Sequence, residues 1–131
     1  MNTRDHSVIV ERSLTQADFN KFAALSGDNN PIHVDAEFSA RTRFGRTVSH
    51  GILLSTVLRG LLDRLVPGGK LVSQQLMFPA PTFADEPLRF SAEILSEENE
   101  HVITAIRCQR LNDDVVTCEG TTVLKRPGPR S

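Results

Sequence analysis

Between Ser49 and Pro67 the chain places Ile52, Leu53, Leu54, Val57, Leu58, Leu61, Leu62, Leu65 and Val66. The spacing follows the helical period, but these residues cover more than one face, so the helix has to be buried on most of its sides. Arg59 and Asp63, four residues apart, mark its wetter edge. Ser49 is predicted to cap the start, and Pro67-Gly68-Gly69 to end it. Everything after Gly69 reads as antiparallel strand. Leu71 to Phe78 is broken by Pro79-Ala80-Pro81. Leu88, Phe90, Ala92 and Ile94 then alternate with Arg89, Ser91 and Glu93. His101 to Leu111 and Val115 to Leu124 form a hairpin around Asn112-Asp113-Asp114. A sheet that must cover one such helix has to curl around it. The expected fold class is therefore α+β, a curved antiparallel sheet of about five strands around one long central helix.

The region before that helix is shorter in its elements. Val8 to Glu11 suits a first strand. Thr15-Gln16-Ala17-Asp18 has the spacing of a capping box, and Phe19, Phe22, Ala23 and Ser26 give a short helix that Gly27 ends. Next comes Ser26-Gly27-Asp28-Asn29-Asn30-Pro31-Ile32-His33, which puts an acid and an imidazole five residues apart. Pro31 lacks a backbone donor and pushes Asn30 out of the helical region, so this run is expected to be a non-helical polar loop. It carries two groups able to move protons near neutral pH. Ala36 to Arg41 is expected to make one or two helical turns, and Phe44-Gly45-Arg46-Thr47 a turn.

The 131 residues imply one domain, 1–131, with residues 126–131 as a flexible tail. That length supports a core but lies near the size where a partner subunit helps. A formal net charge of −1 and the lack of a basic block exclude nucleic-acid and anionic-membrane binding as first expectations. Met1 to His6 is polar and no apolar leader follows, so a cytoplasmic location is expected. Cys108 and Cys118 both fall in strand-like runs, where two buried thiols are preferred over a disulfide. The four His and two Cys show no metal-ligand spacing, so no metal is expected.

With this element order and loop in hand, the chain resembles the MaoC-like, (R)-specific enoyl-CoA hydratases of the hot-dog fold. The resemblance spans roughly Ser7 to Lys125. The residues that carry it are Leu25-Ser26-Gly27-Asp28-Asn29-Asn30-Pro31-Ile32-His33 and His50-Gly51 at the central helix. Phe78-Pro79-Ala80-Pro81 with Asp85 is similar to a later family segment, with Ala84 in place of a Gly. The resemblance implies that Asp28 and His33 are the catalytic pair, that Asn30 supports them, and that the Gly51 N–H binds the thioester oxygen. It also implies a homodimer or higher homo-oligomer with a continuous sheet and the substrate near the subunit boundary.

Hydrating an α,β-unsaturated thioester needs a base for the attacking water, an acid for C2, and donors for the growing negative charge on the thioester oxygen. A carboxylate and an imidazole on one water can divide the proton transfers, and the sequence leaves open which does which. Orphan N–H groups of a helix N-terminus at Ser49-His50-Gly51 meet the third need. Other uses stand beside these. Asp28 and Asn30 also suit turn-forming roles, and His33 could bond a loop carbonyl. Ser49 and His50 are candidate substrate contacts, although His50 could simply satisfy its ring at the helix start. Arg41, Arg43 and Arg46 could meet the phosphates of a CoA or phosphopantetheine arm, or form a solvated charged turn. Arg59 either pairs with Asp63 or reaches the acyl pocket. The expected activity is (R)-specific hydration of enoyl thioesters, or the reverse dehydration. No cofactor is expected beyond the substrate's own CoA or carrier arm. A thioesterase and a non-catalytic acyl-thioester-binding subunit are the rival readings.

Overall fold

The computed structural model describes residues 6–128. Its elements are β1 (Ser7–Ser13), α1 (Gln16–Ser26), α2 (Pro31–Val34), α3 (Ala36–Ala40), α4 (Gly51–Leu65), β2 (Lys70–Met77), β3 (Pro87–Glu98), β4 (His101–Arg110) and β5 (Val116–Lys125). The five strands form one antiparallel sheet in the order β1-β3-β4-β5-β2. This is the expected α+β fold, with β2 and β1 as its two edges.

The alternation read in β3 decides which face turns inward. Leu88, Phe90 and Ala92 are buried, as are Val102, Ile106 and Cys108 on β4 and Leu124 on β5. Against them lies one stripe of α4: Leu54, Leu58, Leu61, Leu62 and Leu65. The helix is narrower in its burial than its sequence suggests. Ile52 is 62% exposed, and Leu53 and Val57 only half-buried. A single curved sheet closes over one side of a helix of 15 residues, and among the described residues the outer side stays partly exposed. The buried threonines of the sheet, Thr104, Thr117 and Thr122, are hydrogen-bonded, as buried groups require. Thr104 Oγ1, for example, donates to the Thr122 carbonyl at 2.7 Å.

Three local expectations change. Pro31 begins a helix rather than preventing one. Proline suits the first helical position, where its N–H would be orphaned in any case, and Asn30 in front of it is the extended N-cap. Ser49 does not cap α4; His50 holds the N-cap position with no side-chain cap bond, while Ser49 Oγ donates to the His50 carbonyl at 3.0 Å. Arg126, placed in the tail, is fixed: its Nη2 reaches Glu97 Oε1 at 2.9 Å and its N–H donates to the Glu100 carbonyl at 2.8 Å. Residues 129–131 of that tail, and residues 1–5, lie outside the described residues. Arg59 sits on the helix edge, 3.6 Å from Asp63 and donating to the Gly69 carbonyl at 3.1 Å.

Two glycines differ sharply in what a side chain would meet. A Cβ on Gly120 would fall on the Gln75 carbonyl of the neighbouring strand, whereas one on Gly60 meets nothing within 4 Å. Gly120→Ala should therefore lower the melting temperature, by pushing β2 off β5. Gly60→Ala should raise stability by about 0.5–1 kcal/mol through the helix entropy term. Thermal melts of the two variants beside wild type check both signs.

Candidate active site

The capping box of α1 forms as its spacing predicts, with Asp18 N–H donating to Thr15 Oγ1 and Thr15 N–H to Asp18 Oδ2. At the other end Gly27 adopts φ 82°, the left-handed region that favours glycine, and turns the chain sharply out of the helix. Asp28 therefore leaves the helix end at once. The Asn30 side chain accepts the Ile32 N–H at 3.2 Å and starts α2, which carries His33.

The fold brings Asp28 and His33 face to face. His33 Nδ1 lies 2.7 Å from the Val48 carbonyl. A carbonyl only accepts, so this bond places the proton on Nδ1 and leaves Nε2 with its lone pair in the neutral ring. That Nε2 is 3.9 Å from Asp28 Oδ2, too far for a direct hydrogen bond and close enough for one water to touch both. The His33 side chain is 15% exposed and that of Asp28 56%, so the pair opens to solvent from the carboxylate side.

His50 is the third member of the cluster and is buried. Its Nε2 is 2.8 Å from the Asp28 carbonyl oxygen. Its ring stacks on His33 with centroids 3.8 Å apart and planes at 24°, and meets the Phe22 ring edge-on at 4.9 Å. Ligand-type atoms of Asp28, His33 and His50 lie within 4.8 Å of one another, a grouping that linear spacing does not reveal. Each ring already gives one nitrogen to a backbone carbonyl, and near-parallel rings do not aim their remaining nitrogens at one point. The donor set does not fit a metal centre.

Gly51 follows His50 at the first position of α4 and faces a cleft of about 410 Å³ also lined by Ser49, Arg43, Phe44, Phe78 and Thr82. A Cβ at Gly51 would come within 3.0 Å of the Phe78 ring. The close approach that glycine permits here is thus made by Phe78, beside orphan N–H groups of the helix start. The three arginines part company. Arg43 lines the cleft and stacks on Phe44 at 4.9 Å. Arg46 lies over Phe83 at 4.9 Å and donates to the Ala84 carbonyl at 2.7 Å. Arg41 is exposed, 3.9 Å from Glu37.

Gln16 has no sequence signal, yet it joins three segments. Its Nε2 donates to the His33 carbonyl at 2.9 Å and to Asn20 Oδ1 at 3.0 Å, and its Oε1 accepts from Thr47 Oγ1 at 2.6 Å. The cysteines supply no nucleophile. Both are buried and unbridged, and burial pushes Cys108 up to about 11 and Cys118 to about 12, so the reactive thiolate is absent near neutral pH.

Known proteins are similar in sequence and in fold. An (R)-specific enoyl-CoA hydratase of Aeromonas caviae is 33% identical over 109 residues, covering 81% of this chain and 81% of that protein. A 3-hydroxybutyryl-CoA dehydratase of Methylorubrum extorquens is 29% identical over 121 residues, covering 91% of this chain and 77% of the relative. The solved structure of the (R)-hydratase from A. caviae involved in PHA biosynthesis superposes with a TM-score of 0.87 at 29% identity, over 92% of this chain and 94% of that one. The fold is accordingly that of the hot-dog R-hydratases. Residues 3–115 match the family described as the MaoC like domain, and with most of its length inside that match this chain belongs to the MaoC-like family.

Proposed function

We propose that this protein hydrates trans-2-enoyl thioesters to (R)-3-hydroxyacyl thioesters, or runs the reverse dehydration. The observation that carries the reading is the gap between His33 Nε2 and Asp28 Oδ2, 3.9 Å wide and bounded by two proton acceptors. The family membership and the hydratase and dehydratase relatives support it.

A water in that gap has two O–H groups and meets two acceptors. As its oxygen bonds to C3, one acceptor takes its proton. The electron pair of the C2–C3 double bond moves towards the carbonyl, and the negative charge grows on the thioester oxygen. C2 then takes the proton that this acceptor took from the water, on the same face, which makes the addition syn. The acceptor is regenerated by that transfer, so no second acid is required. The Gly51 N–H at the start of α4 is the donor for the thioester oxygen, strengthened by the helix dipole. His33 is held in its working tautomer by the Val48 carbonyl. Arg43, at the cleft beside Gly51, is the arginine placed to meet an anionic arm of the substrate, whether CoA or a carrier-bound phosphopantetheine.

The working unit in this reading is a homodimer at least. β2 is a sheet edge exposed along most of its length, with Leu71, Val72 and Met77 between 52% and 63% exposed, and the outer side of α4 is partly exposed. An open edge and bare apolar surface favour pairing with a second copy.

Asp28→Asn and His33→Ala should each lower kcat on crotonyl-CoA by about 10²–10⁴-fold with the fold intact. Because both act on one water, the double variant should fall little below the singles. Loss of the enoyl absorbance measures this, and near-wild-type turnover in either single variant would refute the assignment. Chiral analysis of the product should give the (R) alcohol; a mainly (S) product contradicts the stereochemistry proposed. Light scattering should return a dimer or larger, and a stable species of 14.5 kDa would overturn the pairing.

A further inference from the structure

We propose that His50 is a positioning residue that holds both members of the proton-transfer pair at once, a role that rests on the hydration reading above. One imidazole makes both contacts. Its Nε2 donates to the Asp28 carbonyl at 2.8 Å, and its face lies 3.8 Å from the His33 ring. Asp28 follows the left-handed Gly27 in a polar loop, and its own N–H is held only by a 3.1 Å bond to Ser26 Oγ among the described contacts. The bond from His50 ties the peptide group after Asp28 to the first residue of the α4 entry. It thereby sets the direction in which the Asp28 carboxylate leaves the chain. The stack sets the plane of the His33 ring, and so the line along which Nε2 points. The gap that receives the water is defined by those two directions.

His50 is itself well fixed. It is 3% exposed, the Phe22 ring packs against it, and it sits at the N-cap of the core helix. An N-cap residue ordinarily turns its side chain onto the helix's own N–H groups. This one makes no such bond and sends its ring to the Asp28 loop instead. The carbonyl partner accepts only, which places the ring proton on Nε2. Nδ1 is then the unprotonated nitrogen, and it is buried without a partner. A side chain that served only to fill the helix start would satisfy that second nitrogen or leave it in water. Here the single donor is the group in use.

The inference separates two properties of the ring that substitution can keep or remove. In His50→Gln the amide nitrogen takes the place of Nε2 and keeps the donor without the ring. His50→Phe keeps a ring on His33 without the donor. On crotonyl-CoA, His50→Gln should lose about tenfold in kcat, because the donor to Asp28 stays while the ring that orients His33 is gone. His50→Phe should lose about 30–100-fold in kcat with KM within about threefold, as expected when the reacting groups are displaced by a fraction of an ångström while substrate is still bound. His50→Asn, whose amide is one bond too short to reach, should behave like His50→Phe. A second measurement does not depend on activity. Long-range proton–nitrogen correlation spectra of the 15N-histidine protein should show His50 of the wild type as the Nε2–H tautomer. An Nδ1–H tautomer overturns the proposal even if His50→Phe fails to fold. So does wild-type kcat in either His50→Phe or His50→Gln. A wild type inert towards enoyl-CoAs would instead overturn the hydration reading, and the catalytic role of His50 with it.

Discussion

Burial of one leucine stripe of α4 in the curve of the sheet fixes everything else. Leu58 and Leu62 are fully buried against Leu88 and Phe90, and a displacement of the helix would open cavities on both sides. The C-terminal end is pinned as well. Val66 is fully buried, and a Cβ on Gly69 would lie 2.9 Å from its side chain, so the exit from the helix has no slack. With both the stripe and the exit fixed, the entry is fixed too. The segment leading into α4 is stitched to the loop ahead of β3: Val48 bridges Phe83, and Ser49 N–H donates to the Thr82 carbonyl at 2.7 Å. The reacting groups hang from this entry. His50 stands at it, Val48 faces α2 two residues earlier, and Gly51 begins the helix. The core thus positions the chemistry through four consecutive residues, although none of the core leucines needs to touch substrate.

The sheet and the helix were legible because their signals are periodic. Alternation in Leu88, Phe90 and Ala92 against Arg89 and Ser91 specifies which face is inward without knowledge of any neighbour. The capping box at Thr15 and the end at Gly27 were legible because their partners lie within four residues. Two failures have a common origin in reading one residue by its commonest effect. Pro31 by type reads as a helix breaker, but its effect depends on position, and behind an Asn N-cap it begins a helix. Ser49 by type reads as a cap, whereas its N–H and side chain serve the Thr82 and His50 carbonyls. Within the site, Asp28, His33 and Gly51 could be named from the motif. Their arrangement could not, because it is made of contacts between segments far apart in sequence. Gln16 and Thr47, 31 residues apart, meet through the fold alone. The outer face of α4 belongs to the same class. Its apolar residues signal burial, but the sequence does not say whether this chain or another supplies the cover.

The helix that carries His33 shows why those distant contacts matter. At four residues, α2 is far below the length at which a helix holds itself in water. Its carbonyls have almost no intrahelical partners, and unpaired carbonyls at a partly buried position would be costly. The helix's own C-cap takes one of them and other segments take two. The Pro31 carbonyl accepts the Asp35 N–H at 2.8 Å, the Ile32 carbonyl accepts the Val48 N–H at 3.0 Å, and the His33 carbonyl accepts Gln16 Nε2 at 2.9 Å. Ser39 Oγ adds a second donor to Ile32 at 3.2 Å. The Val48 peptide works in both directions, donating to the backbone of α2 and accepting from the His33 ring. Rotation of the ring would break the Nδ1 bond, and the backbone beside it is held by the same strap. The His33 imidazole is therefore oriented by α1, α3 and the entry to α4, not by the turn on which it rides. This arrangement makes a short, intrinsically unstable helix a precise platform. It also explains how a carboxylate more than half exposed can face a defined partner: the order resides in the buried histidines and the backbone around them, and the open side of Asp28 is left for water and substrate.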